Sequence, residues 1–569
     1  MLVLMGLGFA AVGVRLVHLQ VVERSDLARI AERQQERTVR LEAKRGTIYD
    51  RMGRELAVSL DVESVYGVPA EVDNPHAVAA RLGRLLSEKP SELQRKLASD
   101  KQFVWLSRKA DPMKAERARE IDPGAIGLRF EARRFYPKKT MAGAVLGFTN
   151  VDHKGIEGVE LWYDSVLRGT DGWLLAEKDA RGRTVFPGGN GLQFRLPEPG
   201  RDVYLTLDEV VQHIAEKELD RGLSESKARG GVCIVMNPQT GEVLALSVRS
   251  PARGGTAFNP NDPQRHRPEE WRNRAVTDTF EPGSIFKAVT AAAALEEKVV
   301  HPQERIDCSA GSIQVADRVI KDAHHNGVLT FAEVISESSN VGTIKVAQRL
   351  GKARFAKYIE AFGFGRKTGI DLPGEIPGLS KDYRLWSGVS LASMAIGQEI
   401  GVTPIQMAVA YSAIANGGTL LRPSIVAEVR DRAGSPDRTM RTLPAPVGRA
   451  VSPQTCAVLQ KILQKVVENG TGQKAKPAGY TAAGKTGTAQ KIDQRTGKYS
   501  HDDYVSSFVG FAPASSPKLV ILVMVDSPVG VVWGGSVAAP IFRAVAEQSL
   551  AYLQVPPDDM GGRMLLVAR

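Results

Sequence analysis

The chain has 569 residues, of which 43% are hydrophobic and 24% charged, values typical of a globular protein with room for two or more domains. Its formal net charge of +11 favours anionic partners such as lipid headgroups, cell-wall polymer or nucleic acid. No basic block with interleaved aromatic residues stands out, which argues against nucleic acid. Cys233, Cys308 and Cys456 are widely spaced and form neither a metal-binding nor a disulfide pattern, so we expect buried thiols and predict no metal site.

The first residues of the chain predict a membrane anchor. Residues 1–14 are apolar without interruption, and the apolar pattern continues to Val22, which gives the ~20 residues that a membrane-spanning helix needs. Arg15 and His18 lie near one end, where their side chains can reach the lipid headgroups. No small-residue cleavage site follows, which disfavours a removed signal peptide; the alternative is a buried amphipathic helix of a soluble domain. No basic tail precedes Met1, which suggests a start site placed too late or a missing cytoplasmic tail.

An anchor over residues 1–22 places the rest of the chain outside the cytoplasm, where we predict two domains and a tail. Residues 23–195 carry no catalytic motif and predict an α+β pedestal, which begins with a charged, helix-prone stalk over residues 23–42. Residues 196–556 have strand signals near both ends and helical periods between them, which predicts an antiparallel sheet with helices on both faces. Residues 557–569 form a C-terminal tail.

Residues 280–287 (FEPGSIFK) are the predicted chemical centre. The Pro-Gly pair marks a turn and residues 288–295 predict a helix, so Ser284 falls in the first helical turn, where free N–H groups and the helix dipole favour an oxyanion. Lys287, three residues further on, comes round to the same face. A serine is a poor nucleophile until a base removes its proton, and a partly desolvated lysine can be that base. We therefore predict an acyl-enzyme serine with a lysine base.

The S-x-x-K spacing of this pair occurs at two other places. Ser224 and Lys227 lie on a charged helical surface, and Ser515 and Lys518 lie in a Ser-Ser-Pro turn. We interpret both as solvated surface, because only Ser284 has a turn followed by an apolar helix.

Two further motifs follow along the chain. S-x-N occurs once, at residues 338–340, where a hydroxyl and an amide in one turn could relay a proton and hold a substrate amide; taken alone, a cap or a turn is the better interpretation. K-T-G occurs twice. The copy at residues 367–369 runs into a loop with no strand partner, whereas the copy at residues 485–487 precedes a predicted strand at residues 506–512 and can itself be a sheet strand beside Ser284.

The second K-T-G copy predicts a substrate-binding strand. The Lys485 amine and the hydroxyls of Thr486 and Thr488 could hold a substrate carboxylate, with Gly487 between them in the strand. The backbone N–H of Thr488 could join that of Ser284 in an oxyanion hole.

The same region also satisfies a phosphate-binding pattern. Residues 479–486 match G-x-x-x-x-G-K-[ST], and Asp526 at the end of an apolar run resembles a metal-binding Asp. A P-loop needs a strand before it and a helix after it. Residues 474–478 form no buried strand and residues 487–503 have no helical period, which disfavours the nucleotide reading.

The ordered triple S-x-x-K, S-x-N and K-T-G resembles the penicillin-recognising serine enzymes. Nearly the whole chain is similar to the class B penicillin-binding proteins, which are bitopic cell-wall transpeptidases, and most of all to their cell-division (FtsI-type) branch, with the elongation branch as the alternative. The segments that carry the resemblance are residues 45–57, 155–160, 273–274, 280–287, 397–398, 403–404, 416–418 and 534–540.

The resemblance implies a reaction and a role for each motif residue. Ser284 would attack the penultimate D-Ala carbonyl of a peptidoglycan stem peptide, with Lys287 as base, and an amine of a neighbouring stem would then take the acyl group to form a cross-link. Ser338 and Lys485 would pass the proton to the leaving group, and Asn340 would hold the peptide amide. β-Lactams would acylate the serine by mimicking that peptide. No cofactor is implied.

The resemblance also implies location and partners. Thr486, Gly487 and Thr488 would bind the terminal carboxylate of a stem peptide on nascent glycan strands, and the protein would be a single-pass protein of the bacterial cytoplasmic membrane with its catalytic domain outside. Residues 23–195 show no glycosyltransferase motif, so a separate SEDS-type (FtsW-like) polymerase and other divisome proteins are expected partners. A β-lactam sensor, or a β-lactamase or carboxypeptidase that uses water as acceptor, stays open as an alternative.

Overall fold

The computed structural model describes residues 1–27, 36–178, 184–185, 193–251, 255–431, 439–493 and 495–559. Its strands, in chain order, are β1 (Glu36–Leu41), β2 (Ile48–Tyr49), β3 (Glu55–Gly67), β4 (Val104–Ser107), β5 (Ile126–Phe135), β6 (Gly172–Lys178), β7 (Thr184–Val185), β8 (Phe194–Arg195), β9 (Asp202–Leu205), β10 (Gly230–Met236), β11 (Val243–Arg249), β12 (Arg305–Asp307), β13 (Ser312–Val315), β14 (Arg318–Lys321), β15 (Val328–Thr330), β16 (Thr419–Leu421), β17 (Val426–Arg430), β18 (Met440–Arg441), β19 (Pro446–Arg449), β20 (Ala483–Ile492), β21 (Tyr499–Ala512) and β22 (Leu519–Asp526). Its α-helices are α1 (Leu2–Val17), α2 (Pro75–Leu86), α3 (Pro90–Leu97), α4 (Pro112–Arg119), α5 (Gly143–Leu146), α6 (Gly158–Trp162), α7 (Asp164–Leu167), α8 (Glu209–Ser226), α9 (Pro268–Trp271), α10 (Arg274–Thr277), α11 (Lys287–Glu296), α12 (Phe331–Ser336), α13 (Asn340–Leu350), α14 (Lys352–Ala361), α15 (Ser390–Ala395), α16 (Pro404–Ala415), α17 (Pro453–Glu468) and α18 (Gly534–Tyr552).

The chain divides into two compact units, one made of residues 1–46, 59–133 and 165–201 and the other of residues 47–58, 134–164 and 202–569. The domain boundaries expected from the sequence, at residues 22, 195 and 556, stay predictions. Residues 560–569 of the predicted tail lie outside the described residues.

The first unit begins with a long apolar helix. α1 continues through a π-helical turn at His18–Val22, and the segment Val3–Val22 is 20 residues long with none of its side chains buried. By length and composition this segment can cross a membrane. The predicted N-terminal helix is therefore confirmed.

A four-stranded sheet in this unit corrects the expected helical stalk. β6 pairs with β1, β7 and β8, and each residue of β1 has a partner in β6, from Glu36 opposite Glu177 to Leu41 opposite Gly172. The prediction of a helical stalk over residues 23–42 is wrong for this part. The charged residues of β1 have good local helix propensity, but backbone pairing with a distant strand outweighs it.

The second unit is built on a five-stranded antiparallel sheet in the order β11-β10-β22-β21-β20. Helices α8 and α18 pack on one face, where Phe508 of β21 contacts Phe542 with ring centroids 4.6 Å apart. α16, all of whose residues are buried, packs on the other face. Because helices cover both faces, β10, β11 and β22 are buried along their whole length and are mostly apolar, apart from Ser247 and Arg249 of β11 and Asp526 of β22. This confirms the predicted α+β fold with an antiparallel sheet flanked by helices.

β20 lies at the edge of this sheet and pairs with β21 along one side. The Lys-Thr-Gly-Thr motif at residues 485–488 occupies its first half. An edge strand presents backbone N–H and C=O groups that an extended peptide can pair with. The fold therefore places this motif where a peptide substrate could add to the sheet.

Candidate active site

Ser284 lies in a short 3-10 turn, Gly283–Phe286, that leads directly into α11. Gly283 has φ 56°, a left-handed conformation that glycine adopts at little cost, so the Pro-Gly pair forms the predicted turn. The Tyr411 hydroxyl donates to the Ile285 carbonyl at 2.8 Å and fixes the turn from α16. Ser284 itself is half-buried, so part of the residue remains accessible to a substrate.

Gly397 packs its backbone against this turn. The Gly283 N–H donates to the Gly397 carbonyl at 2.9 Å, Gly397 has φ 80°, and a Cβ at Gly397 would overlap the Gly283 backbone. We expect Gly397→Ala to lower the free energy of unfolding by ~2 kcal/mol or more, because both the left-handed backbone and the overlap penalise a side chain. Chemical denaturation measures the change. Gly327→Ala is the matched control, since a Cβ there meets nothing within 4 Å, and equal destabilisation by the two variants would contradict the expectation.

Lys287 begins α11 and is fully buried. Its Nζ donates to the Ser338 carbonyl at 2.6 Å and to Asn340 Oδ1 at 2.7 Å, and it lies 3.3 Å from the Ser338 hydroxyl. Burial lowers the pKa of Lys287 to about 7, and the negative charge of Asp322 opposes this shift. At neutral pH a lysine with this pKa is neutral in a substantial fraction of the molecules and can act as a base.

Ser338 links two buried amines. Its hydroxyl accepts a hydrogen bond from Lys485 Nζ at 3.0 Å and lies 3.3 Å from Lys287 Nζ. Burial, and then the like charge of Lys287, hold the pKa of Lys485 well below its usual range. The like charge of a neighbouring amine disfavours two ammonium groups in one buried cluster.

The residues after Lys485 line the edge strand with hydroxyls. Thr486 Oγ1 lies 2.9 Å from Thr471 Oγ1 and 3.3 Å from Lys485 Nζ, and Thr488 Oγ1 accepts from the Gly534 N–H at 3.0 Å. The side chains of Thr471, Thr486 and Thr488 and the N-terminus of α18 form a polar surface along the first half of β20.

The strand and the serine turn meet at two glycines. A Cβ at Gly487 would lie 3.0 Å from both Ile285 Cγ2 and the Pro282 carbonyl, and a Cβ at Gly283 would lie 3.4 Å from the Thr488 carbonyl. The structure thus brings Ser284 and residues 486–488 side by side, as the sequence predicted. An oxyanion hole from the N–H groups of Ser284 and Thr488 stays a prediction.

Asn340 begins α13 and has partners at both ends of its amide. Its Nδ2 donates to the Lys321 carbonyl at 2.8 Å, while its Oδ1 accepts from Lys287. The oxygen has a second lone pair, which leaves it able to accept one more hydrogen bond.

The structure also separates the motif copies. Ser224, Lys227, Ser515 and Lys518 are all exposed, which confirms that they belong to the surface. At residues 367–369 the backbone forms no strand, and Thr368 and Gly369 donate to the Glu375 carboxylate within the same loop.

The phosphate-binding alternative fails on position. Lys485 lies inside β20 with its amine turned to Ser338, whereas a P-loop lysine follows a glycine-rich loop and opens a helix. Asp526, the supposed metal ligand, is engaged by Arg274 and Lys491 at 2.8 and 2.6 Å. Residues 479–486 therefore do not have the geometry of a P-loop.

Sequence reasoning missed two residues that touch the motifs. Thr471 lies in the loop after α17 and contacts Thr486, and Asp322 lies after β14 and contacts the turn at residues 338–340. Neither belongs to a motif with a fixed spacing, so no local signal marked them.

A cavity of about 550 Å³ adjoins the serine turn and the edge strand. Its walls include Thr279–Glu281 before Ser284 and residues 489–492 after the K-T-G-T motif. The residues just before the serine turn and those just after the K-T-G-T motif therefore border one cavity, whose lining does not include Ser284, Lys287 or Lys485.

Two families match the chain. Residues 231–547 match the penicillin binding protein transpeptidase domain, and residues 40–205 match the penicillin-binding protein dimerisation domain. The first match spans more than half of the chain. The chain belongs to the penicillin-binding proteins.

Relatives place this penicillin-binding protein more narrowly. It is 36% identical over 557 residues to stage V sporulation protein D of Bacillus subtilis, which covers 96% of this chain and 84% of that protein. It is 31% identical over 554 residues to the peptidoglycan D,D-transpeptidase FtsI of Escherichia coli K12, which covers 96% of this chain and 90% of that protein. A crystal structure of penicillin binding protein 3 from Mycobacterium tuberculosis, complexed with aztreonam, aligns with TM-score 0.70 and 29% identity over 91% of this chain and 98% of that chain. The protein is a class B penicillin-binding protein of the FtsI type and a D,D-transpeptidase of cell-wall synthesis.

Proposed function

We propose that Ser284 is the nucleophile with which this D,D-transpeptidase accepts the acyl group of a stem peptide. The observation that carries the proposal is the Ser338 hydroxyl between the buried amines of Lys287 and Lys485, where Lys287 follows the half-buried Ser284 by three residues. A base with a lowered pKa and a proton relay are what a serine needs for acyl transfer.

Acylation then proceeds in two proton transfers. Neutral Lys287 takes the Ser284 proton as Oγ attacks the penultimate D-Ala carbonyl, and the N–H groups of Ser284 and Thr488 hold the resulting oxyanion. The C–N bond breaks, and a proton passes through the Ser338 hydroxyl, from Lys287 or Lys485, to the nitrogen of the departing D-Ala. The second transfer follows contacts that the structure shows, since the Ser338 hydroxyl lies within 3.3 Å of both amines.

Substrate binding falls to the edge strand and the S-x-N turn. The hydroxyls of Thr486 and Thr488 and the amine of Lys485 receive the terminal carboxylate, and Gly487 lets the strand lie close to the serine turn. Asn340 Oδ1 uses its remaining lone pair for the peptide N–H of the stem.

The acyl group leaves to an amine of a neighbouring stem, which gives a cross-link on nascent glycan strands. The test is D-Ala release and cross-link formation by the full-length protein supplied with nascent glycan and a polymerase. Ser284→Ala must abolish both products. Hydrolysis without any cross-link, in the presence of an acceptor amine, would contradict the transpeptidase step in favour of carboxypeptidase chemistry.

We also propose that Val3–Val22 anchors the protein in the cytoplasmic membrane as a single span, with the catalytic unit outside. The protein then acts at the septum beside an FtsW-like SEDS polymerase and other divisome proteins. The apolar helix and the FtsI-type relatives support this. Depletion in the source bacterium tests the role: blocked septation with continued elongation is expected, whereas rounding of rod-shaped cells would favour the elongation alternative.

A further inference from the structure

The turn at residues 338–340 is held from outside by the end of a small hairpin, β13–β14. β14 ends at Lys321, whose carbonyl accepts from Asn340 Nδ2 at 2.8 Å. That contact fixes which way the amide faces, because it leaves Asn340 Oδ1 to accept from Lys287 Nζ at 2.7 Å. The hairpin therefore orients one of the groups that contact Lys287.

The next residue, Asp322, holds the same turn through its carboxylate. Its Oδ2 accepts from the Ser339 hydroxyl at 2.8 Å and from Asn326 Nδ2 at 2.9 Å, and its Oδ1 accepts from the Val341 N–H at 2.9 Å. The Ser339 hydroxyl in turn accepts from the Gly342 N–H at 3.0 Å and caps α13. Hydrogen bonds to a charged acceptor are the stronger kind, so one carboxylate ties the middle of the motif to the first turn of the helix.

Ser338 needs such support. Its φ of 61° is left-handed, which a residue with a side chain adopts only where its surroundings enforce it. We propose that Asp322 is a positioning residue for acylation: its carboxylate holds the turn in the conformation that brings Ser338 and Asn340 to Lys287. The inference rests on the proposed role of Lys287 as the base.

The charge of Asp322 adds a second effect that a merely structural residue would lack. Burial lowers the pKa of Lys287 to about 7, and Asp322 opposes that shift. The other charged groups at this cluster are Lys485 from β20, whose pKa is lowered by burial and by Lys287, and Glu337, which opposes the shift at Lys485. Loss of the Asp322 charge lowers the pKa of Lys287 further, so the neutral base persists to lower pH.

The test is the second-order rate of acylation of the full-length protein by a fluorescent penicillin, measured from about pH 5 to pH 9. For Asp322→Asn we expect a plateau rate about 10- to 100-fold below wild type, since charged hydrogen bonds are lost, and an acid limb displaced to lower pH. Ser339→Ala loses one of these hydrogen bonds and keeps the charge, so its plateau falls while its acid limb stays. Asp317→Asn removes an exposed carboxylate from the turn of the same hairpin and should match wild type.

An Asp322→Asn variant with the wild-type plateau and acid limb overturns the inference, as does a lowered plateau with an unmoved limb. If circular dichroism shows that Asp322→Asn does not fold, Asp322→Glu is the deciding variant. It keeps the negative charge but moves the carboxylate oxygens, so the plateau rate must fall while the acid limb of the pH profile stays in place. A wild-type plateau rate in Asp322→Glu overturns the inference. Lys287→Ala separates this inference from the proposed function. If Lys287→Ala is acylated at the wild-type rate, Lys287 is not the base. If Lys287→Ala is no longer acylated while Asp322→Asn behaves like wild type, only the role of Asp322 is contradicted.

Discussion

We expect Ser284→Ala to lose covalent labelling by a fluorescent penicillin, whereas wild type and Ser515→Ala should be labelled alike. The opened β-lactam forms an ester with the attacking hydroxyl, which we propose is that of Ser284, with Lys287, whose pKa is lowered to about 7, as its base. We expect the labelling rate to fall by at least about 10,000-fold. The measurement is in-gel fluorescence after incubation of the purified full-length protein.

Ser515 is the matched control because it repeats the S-x-x-K spacing on an exposed turn, where its hydroxyl donates to Asp558 at 3.0 Å. Loss of label in Ser515→Ala, or retention of label in a folded Ser284→Ala, would assign the nucleophile elsewhere. Mass spectrometry of the labelled peptide identifies the residue directly.

Lys287→Ala lowers the acylation rate by about 100- to 10,000-fold, the usual contribution of a general base. In wild type the base acts only when neutral, and the pKa of Lys287 is lowered to about 7 by burial. The rate should therefore be low below that pH, rise through it and level off above it. A stopped-flow series over pH with a fluorescent penicillin measures this profile.

Lys287→Arg is the informative companion, because a guanidinium keeps the positive charge but does not release its proton in this range. It should be as slow as Lys287→Ala at every pH. A wild-type profile that keeps rising toward pH 10 would indicate a lysine with its ordinary pKa, and near-wild-type activity in Lys287→Arg would show that the residue supplies charge alone.

Much of the site follows from local sequence signals. A Pro-Gly turn before an apolar run predicts that Ser284 lies at the start of a helix. Ser224 and Ser515 lack this turn and apolar run, and both are exposed in the structure. Likewise, Lys485 was preferred over Lys367 because a strand follows it. Turn chemistry and apolar periodicity act over a few residues, so a sequence states them directly.

The pairing of β1 and of the β20–β21 hairpin depends on partner strands that local sequence does not indicate. Residues 487–493 and 495–503, polar and rich in turn residues, form much of the β20–β21 hairpin, and the charged residues 36–41 form β1. In both cases the partner strand, not the local propensity, satisfies the backbone.

The sequence by itself determined which side chains we propose for the reaction of this penicillin-binding protein: three ordered motifs supply the proposed nucleophile, two amines, a hydroxyl, an amide and a hydroxyl-rich strand. The tertiary structure alone decided how those groups act on one another. Full burial of Lys287 and Lys485, their shared contact with Ser338 and the carboxylate of Asp322 behind the turn come from elements far apart in the chain. Desolvation and charge separation depend on distances in space, and these set the protonation state on which the reaction depends.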